Sequence, residues 1–161
     1  VRDWQSRQLH ALMRSLSGHV RVYGRVQAAS AATVEGQVFA LARQADADWG
    51  HLGPKGSRSL QSPDEVAAAL HPVDPDTAVD LLAMLSSQDL AYRVRHRDPD
   101  HARRAAAQVA ELLGYGTKWW TNTEYSDGSR GWDPVTRCTF DGVVSGVGAE
   151  YVISLLQVAE D

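Results

Sequence analysis

Lys118-Trp119-Trp120-Thr121-Asn122-Thr123-Glu124-Tyr125-Ser126-Asp127-Gly128-Ser129-Arg130-Gly131-Trp132-Asp133-Pro134 divides the chain in two. It holds three of the five Trp residues and reads as a β-ribbon whose loop gathers aromatic and charged groups. Helical periodicity dominates on its N-terminal side, and alternation and β-branched residues dominate on its C-terminal side. Adjacent Trp119 and Trp120 on one strand must point to opposite faces of a sheet. Burying one Trp removes about 150–250 Å² from water, worth about 4–6 kcal/mol at roughly 25 cal/mol per Å². One of the pair therefore belongs in a core beneath helices, and the other needs a second cover. A loop at 47–62, Trp132, another subunit or a partner protein would each serve.

Working outward toward the N-terminus, the helix starts are written in capping residues. Asp98-Pro99, Asp74-Pro75 and Ser62-Pro63-Asp64-Glu65 each place an acceptor side chain before a proline tolerated in the first turn. Ala102, Ala105, Ala106, Val109, Leu112 and Leu113 line one helical face; Ala78, Leu81, Leu82 and Leu85 line another. Trp4–Leu16 carries a similar stripe ending at Gly18, and Val34, Val38, Leu41 and Ala45 come after a start predicted at Ser30. Strands are expected at His19–Val26, with a bulge at Gly24, and at Leu90–Arg95. The second of these, succeeded by a helix and the ribbon, suggests a βαβ crossover. Toward the C-terminus, Asp141-Gly142 between Val135–Phe140 and Val143–Ser145 reads as a hairpin turn. Tyr151–Val158 is apolar on both faces and belongs inside a sheet.

The expected fold class is α+β: a mixed, largely antiparallel sheet of about six strands with four to five helices packed mainly on one face. The 161 residues read as a single domain, helix-rich over 1–113 and β-rich over 114–161. No apolar run reaches the length of a membrane helix, so no membrane association is expected. The chain opens at Val1 without Met or a signal-like apolar stretch, which reads as a processed start. One cysteine, Cys138, excludes an internal disulfide and suits a soluble cytoplasmic protein. Charge is uneven: eight Lys/Arg against four Asp/Glu up to residue 60, then eight against sixteen. No dense basic footprint marks a nucleic-acid binder, whereas an acidic second part suits a basic protein partner.

The residues that could carry chemistry are few. Glu124, Asp127 and Asp133 are acid–base candidates in the ribbon loop, with His51 across the 47–62 loop. Turn chemistry already accounts for Asp127-Gly128 and Asp133-Pro134, because Asp side chains bond nearby amides. Cys138 alternates with Phe140 and Thr136 and reads as core rather than nucleophile. His96 and His101 flank Asp98 without completing a ligand set, so no metal is expected. In Gly53-Pro54-Lys55-Gly56-Ser57 the lysine precedes the glycine that a phosphate loop requires before it, so no nucleotide or other cofactor is expected. The residue types left unexplained are Trp120, Tyr125, Arg130 and Trp132, which are types favoured at binding hot spots.

Two readings result. The first is a non-catalytic protein-binding domain of the inhibitor, antitoxin or immunity type, docking a basic partner through that aromatic and charged ribbon. The alternative is a small hydrolase or transferase with an acid–base site between the 47–62 and 124–134 loops. Self-association through an exposed Trp face is a third expectation.

Overall fold

Apolar side chains spaced for helices and apolar side chains spaced for strands have to share one interior, and they do so on two sides of a central sheet. The computed structural model describes residues 2–126 and 129–161, with the side chains of residues 2 and 125–130 outside the description. Helices α1 (Arg2–Leu16), α2 (Val34–Trp49), α3 (Pro63–Ala69), α4 (Pro75–Ser87) and α5 (Pro99–Leu113) surround strands β1 (Val22–Ala28), β2 (His71–Val73), β3 (Lys118–Thr121), β6 (Phe140–Val147) and β7 (Tyr151–Ala159). These five strands form one sheet in the order β1-β7-β6-β3-β2, antiparallel at every pairing. Strands β4 (Thr123–Ser126) and β5 (Ser129–Trp132) form a separate two-stranded ribbon. The α+β class is as the residue pattern predicts.

The helix starts obey the capping logic. Asp74 accepts from the Thr77 amide at 3.0 Å, Ser62 from Glu65 at 3.4 Å and Asp98 from Asp100 at 3.0 Å. The cap of α2 is Thr33, accepting from Gly36 at 3.1 Å, rather than Ser30. That helix also runs on to Trp49, succeeded by a 3₁₀ turn at Gly50–Leu52, so only the remainder of 47–62 is irregular. At its end the Tyr23 hydroxyl donates to Asp48 at 2.6 Å and accepts from Trp49 Nε1 at 2.9 Å. The Arg21 guanidinium lies 4.3 Å from the Trp49 ring centre, so β1 and the end of α2 are tied through a polar and cation–π network.

Alternation along β6 and β7 sends apolar residues both ways. Val144, Ile153 and Leu155 join Trp119 under α1, α4 and α5, where Leu9, Leu82 and Val109 are fully buried. Val143, Val152, Leu156 and Val158 face α2 and α3 with Val38, Leu41 and Val66. Three helices thus cover one face and two the other. On the α2 side a buried polar chain replaces apolar contact: Ser145 and Ser154 share a hydrogen bond of 2.6 Å, and Ser154 donates to Gln37 at 2.6 Å. On the α4 side Gln157 donates to the Leu85 and Gln88 carbonyls at 2.7 and 2.8 Å and accepts from the Leu90 amide at 2.8 Å. That clamp holds the chain as it leaves α4.

Four expected features are absent, for visible reasons. Leu90–Arg95 is a turn, not a strand: it makes one bridge, Gln88 to Arg95, and Arg93 sits at φ 58° in the left-handed region. No parallel pairing exists among the described strands, so the βαβ crossover is not formed. Asp141-Gly142 is no hairpin turn either, since both residues lie inside β6, paired with Val158 and Gln157. Gly24 pairs in register with Leu155, without a bulge.

Candidate binding surface

A buried carboxylate organises the ribbon end of the sheet. Asp141, 1% exposed, accepts from the Thr136 amide at 2.9 Å, the Thr136 hydroxyl at 2.7 Å and Asn122 Nδ2 at 2.8 Å. The Val135 amide shares both its oxygens at 3.2 Å. Burial pushes the Asp141 carboxyl up to about 6, against the pull of these donors. Asn122 in turn donates to the Asp133 carbonyl at 3.0 Å and accepts from the Val143 amide at 2.9 Å. The pair therefore fixes both ends of the ribbon: the exit from β3 and the return after β5.

The segment after the ribbon is held from the other side by the 50–57 loop. Arg137 donates its amide to Asp46 at 2.9 Å, and its carbonyl accepts from the Ser57 hydroxyl at 2.9 Å. A Cβ at Gly53 would sit 1.9 Å from that carbonyl, so only glycine permits the approach. The loop thus covers Arg137 rather than Trp120. None of five surface concavities among the described residues is lined by both the 47–62 and 124–134 segments. His51, Glu124 and Asp133 are all exposed, and no hydrogen bond or ion pair joins any two of them among the described residues. Asp127 lies outside those residues. Cys138 is buried, and desolvation pushes its thiol up to about 11, which places it in the core beside Tyr23 and Val135 rather than in a reactive site.

The Trp pair divides as alternation requires. Trp119, 3% exposed, packs over Gly146 in the α4 and α5 core. Trp120 points the other way and, with Leu70, Val147 and Val152, lines a groove of about 520 Å³ toward the β6–β7 turn, at the end of the sheet away from the ribbon. Glu35 of α2 and Lys118 of β3 stand at the same groove, and they make no ion pair with each other. Trp132 does not join it. Its ring packs at 5.4 Å from Phe140, which by the pleat of β6 shares the face of Val144 and Gly146, the side opposite Trp120. Trp120 and Trp132 therefore belong to two surfaces, not one. The side chains of Tyr125 and Arg130, the remaining residues read as partner-binding, lie outside the described residues.

On the α4 side, at the foot of the ribbon, a second concavity of about 310 Å³ is lined by His71, Val73, Thr77, Leu81, Thr121, Thr123 and Glu124. Only Glu124 of these was legible as a candidate. His71 and Thr77 flank helix and strand boundaries, and nothing in their spacing relates them to a ribbon so far along the chain. Thr123 is 3% exposed, and among the described residues its hydroxyl has no hydrogen-bond partner; nor does the indole N–H of Trp132, its cross-strand neighbour.

Among the described residues no group of three or more His, Cys, Asp or Glu side chains is arranged to hold a metal ion. No helix is long and apolar enough to cross a membrane. The chain matches no family model, no curated protein and no solved structure.

Proposed function

We propose that this is a non-catalytic protein-binding domain, of the inhibitor, antitoxin or immunity kind, that docks a partner in the groove beside Trp120. The observation that carries the reading is the open apolar groove beside Trp120. A half-buried Trp with apolar neighbours and charged residues at the rim is the composition of an anchor site, in which one inserted apolar side chain supplies much of the affinity. The acidic excess beyond residue 60 favours a basic partner through faster encounter. The lone buried thiol of Cys138 suits action in the cytoplasm.

Affinity capture from the native host with the wild-type chain, Trp120→Ala and Tyr92→Ala tests the reading. The captured partner is then titrated against each purified variant. Wild type and Tyr92→Ala are expected to bind equally, since Tyr92 lies in the turn after α4. Trp120→Ala is expected to bind about 30-fold more weakly or worse, the loss typical of an aromatic hot spot. No stoichiometric partner, or a partner indifferent to Trp120→Ala, overturns it.

A further inference from the structure

We infer that the free edge of β1 is a pairing surface for a second copy of this chain, which would continue the sheet across a two-fold axis at Val26. Strand β1 is at the edge of the sheet, with β7 on its inner side. Hydrogen bonds in an antiparallel ladder alternate, so successive residues turn their N–H and C=O toward opposite neighbours. The Val158 amide donates to the Arg21 carbonyl at 3.1 Å and the Ala29 amide to the Glu150 carbonyl at 2.8 Å, so the odd-numbered residues of β1 face β7. The even-numbered residues face outward. Of these, the Val22 amide donates to the His19 carbonyl at 3.0 Å, and the Ala28 carbonyl accepts from the Ala31 amide at 2.9 Å. Among the described residues nothing pairs with the N–H and C=O of Gly24 and Val26 or with the N–H of Ala28. Gly24, Arg25 and Ala28 are exposed and Val26 and Gln27 half-buried, so the edge is open from Gly24 to Ala28.

Unpaired edges invite association, and folded chains blunt them with short strands, proline, charge or bulges. The opposite edge is blunted in that way: β2 is three residues long and carries Pro72 in its middle. β1 has seven residues, no proline and an in-register ladder to β7 throughout. A second copy suits this edge because the open stretch is complementary to itself, as a two-fold interface requires. A two-fold axis at its centre sets Val26 against Val26 of the second copy, and Gly24 against Ala28 of the second copy. Every free group of the stretch is then paired, the Ala28 carbonyl having a second lone pair for the Gly24 amide. Arg25 stands opposite Gln27 of the second copy, whereas an axis at Arg25 would oppose two like charges. On the α2 side a concavity of about 530 Å³ opens beside Arg25, Gln27, Gly36 and Ala40, which leaves room for the facing side chains. On the α1 side, where Ser17 lies over Gly24, the facing residues Gly24 and Ala28 are both small.

Light scattering on the wild-type chain from roughly 1 to 200 μM, a range that spans micromolar association, is expected to show the mass rising from one chain toward two. Ala28→Pro removes only an outward N–H and sets a ring in the path of the second strand, as edge prolines do. It should keep the wild-type circular dichroism and stay at the mass of one chain over the same range. Cysteines report the register, since the Cα atoms of a hydrogen-bonded pair lie about 5.5 Å apart, within disulfide reach. Oxidised Val26→Cys should run as a cross-linked dimer on a non-reducing gel. Ala28→Cys, opposite Gly24 of the second copy rather than itself, should not, and the native Cys138 is buried. A wild-type chain that keeps the mass of one chain throughout overturns the inference. So does a dimer that survives Ala28→Pro, or a cross-link at Ala28→Cys with none at Val26→Cys. If Ala28→Pro fails to fold, the cysteine pair still decides. A negative result removes this edge pairing alone, because the groove beside Trp120 is tested by partner capture.

Discussion

Asp141 offers a prediction with a sign. Its carboxyl is raised by burial to about 6, whereas an unfolded Asp titrates near 3.9. Between those values the folded state holds a proton that the unfolded state has released, so stability rises as pH falls through the folded value and levels off below the unfolded one. At about 1.36 kcal/mol per unit, acidifying from pH 7 to pH 4.5 adds roughly 2 kcal/mol through this one group. Other groups titrate in the same window, so the quantity to measure is the difference between wild type and Asp141→Asn. At pH 7 the substitution turns an amide N–H₂ toward either the Thr136 or the Asn122 donors, which orphans at least one buried donor and costs about 1–3 kcal/mol. At pH 4.5 the gap should be about 2 kcal/mol wider. With a urea slope near 2 kcal/mol per M, that is about 1 M further separation of the midpoints. Urea titrations at the two pH values, read by Trp fluorescence, suffice. A gap that narrows on acidification would refute the reasoning. It would mean that the donors from Val135, Thr136 and Asn122 outweigh desolvation and hold the carboxyl below its ordinary range.

Three other outcomes are expected. Gly146→Ala would place a Cβ 2.6 Å from Trp119 Cζ3, against a ring too buried to withdraw. A loss of about 1–3 kcal/mol and a melting point lower by roughly 3–9 °C should result, measurable by calorimetry. Gln157→Leu keeps the volume but strips the Leu85 and Gln88 carbonyls and the Leu90 amide of their partner. It should cost about 3 kcal/mol or more and speed hydrogen exchange of the Leu90 amide; an unchanged Leu90 amide would show that the clamp is incidental. Cys138, its thiol pushed up to about 11, should resist a disulfide reagent at pH 8 until denaturant is added. Rapid stoichiometric labelling of native protein would contradict that.

Local chemistry made the fold partly legible. Ser62, Asp74 and Asp98 cap helices where a side-chain oxygen before a proline says they should, because a cap needs only its own neighbours. The opposed fates of Trp119 and Trp120 come from the pleat alone. Asp141-Gly142 was misleading because the feature that marks Asp as a turn former, a side chain that collects nearby amides, operates here from inside a strand. Its carboxylate gathers Val135 and Thr136, so the segment before it coils instead of pairing. At Leu90–Arg95 the alternation was real, but the Gln157 clamp and the left-handed Arg93 turn the chain before a ladder can form. The candidate surfaces were legible only in their aromatic and acidic members. His71, Thr77 and Thr123 meet through tertiary placement, which no window of sequence contains.

The strand order carries a consequence for how the molecule is made. The three central strands β7, β6 and β3 all come from residues 118–159, while β1 and β2, which precede them in the chain, are the two edges. During synthesis the residues up to Leu113 therefore emerge as helices and edge strands with no sheet to pack against, their apolar stripes open to solvent. Only when β7 is complete can β1 find its pairing partner, as when Val22 meets Gln157. Assembly by such distant pairing is slow, because loop closure precedes its reward. The cell must hold this chain in an unfinished state until the last strand of its sheet is translated, and a stop a few residues before Ala159 damages the middle of the structure rather than its end.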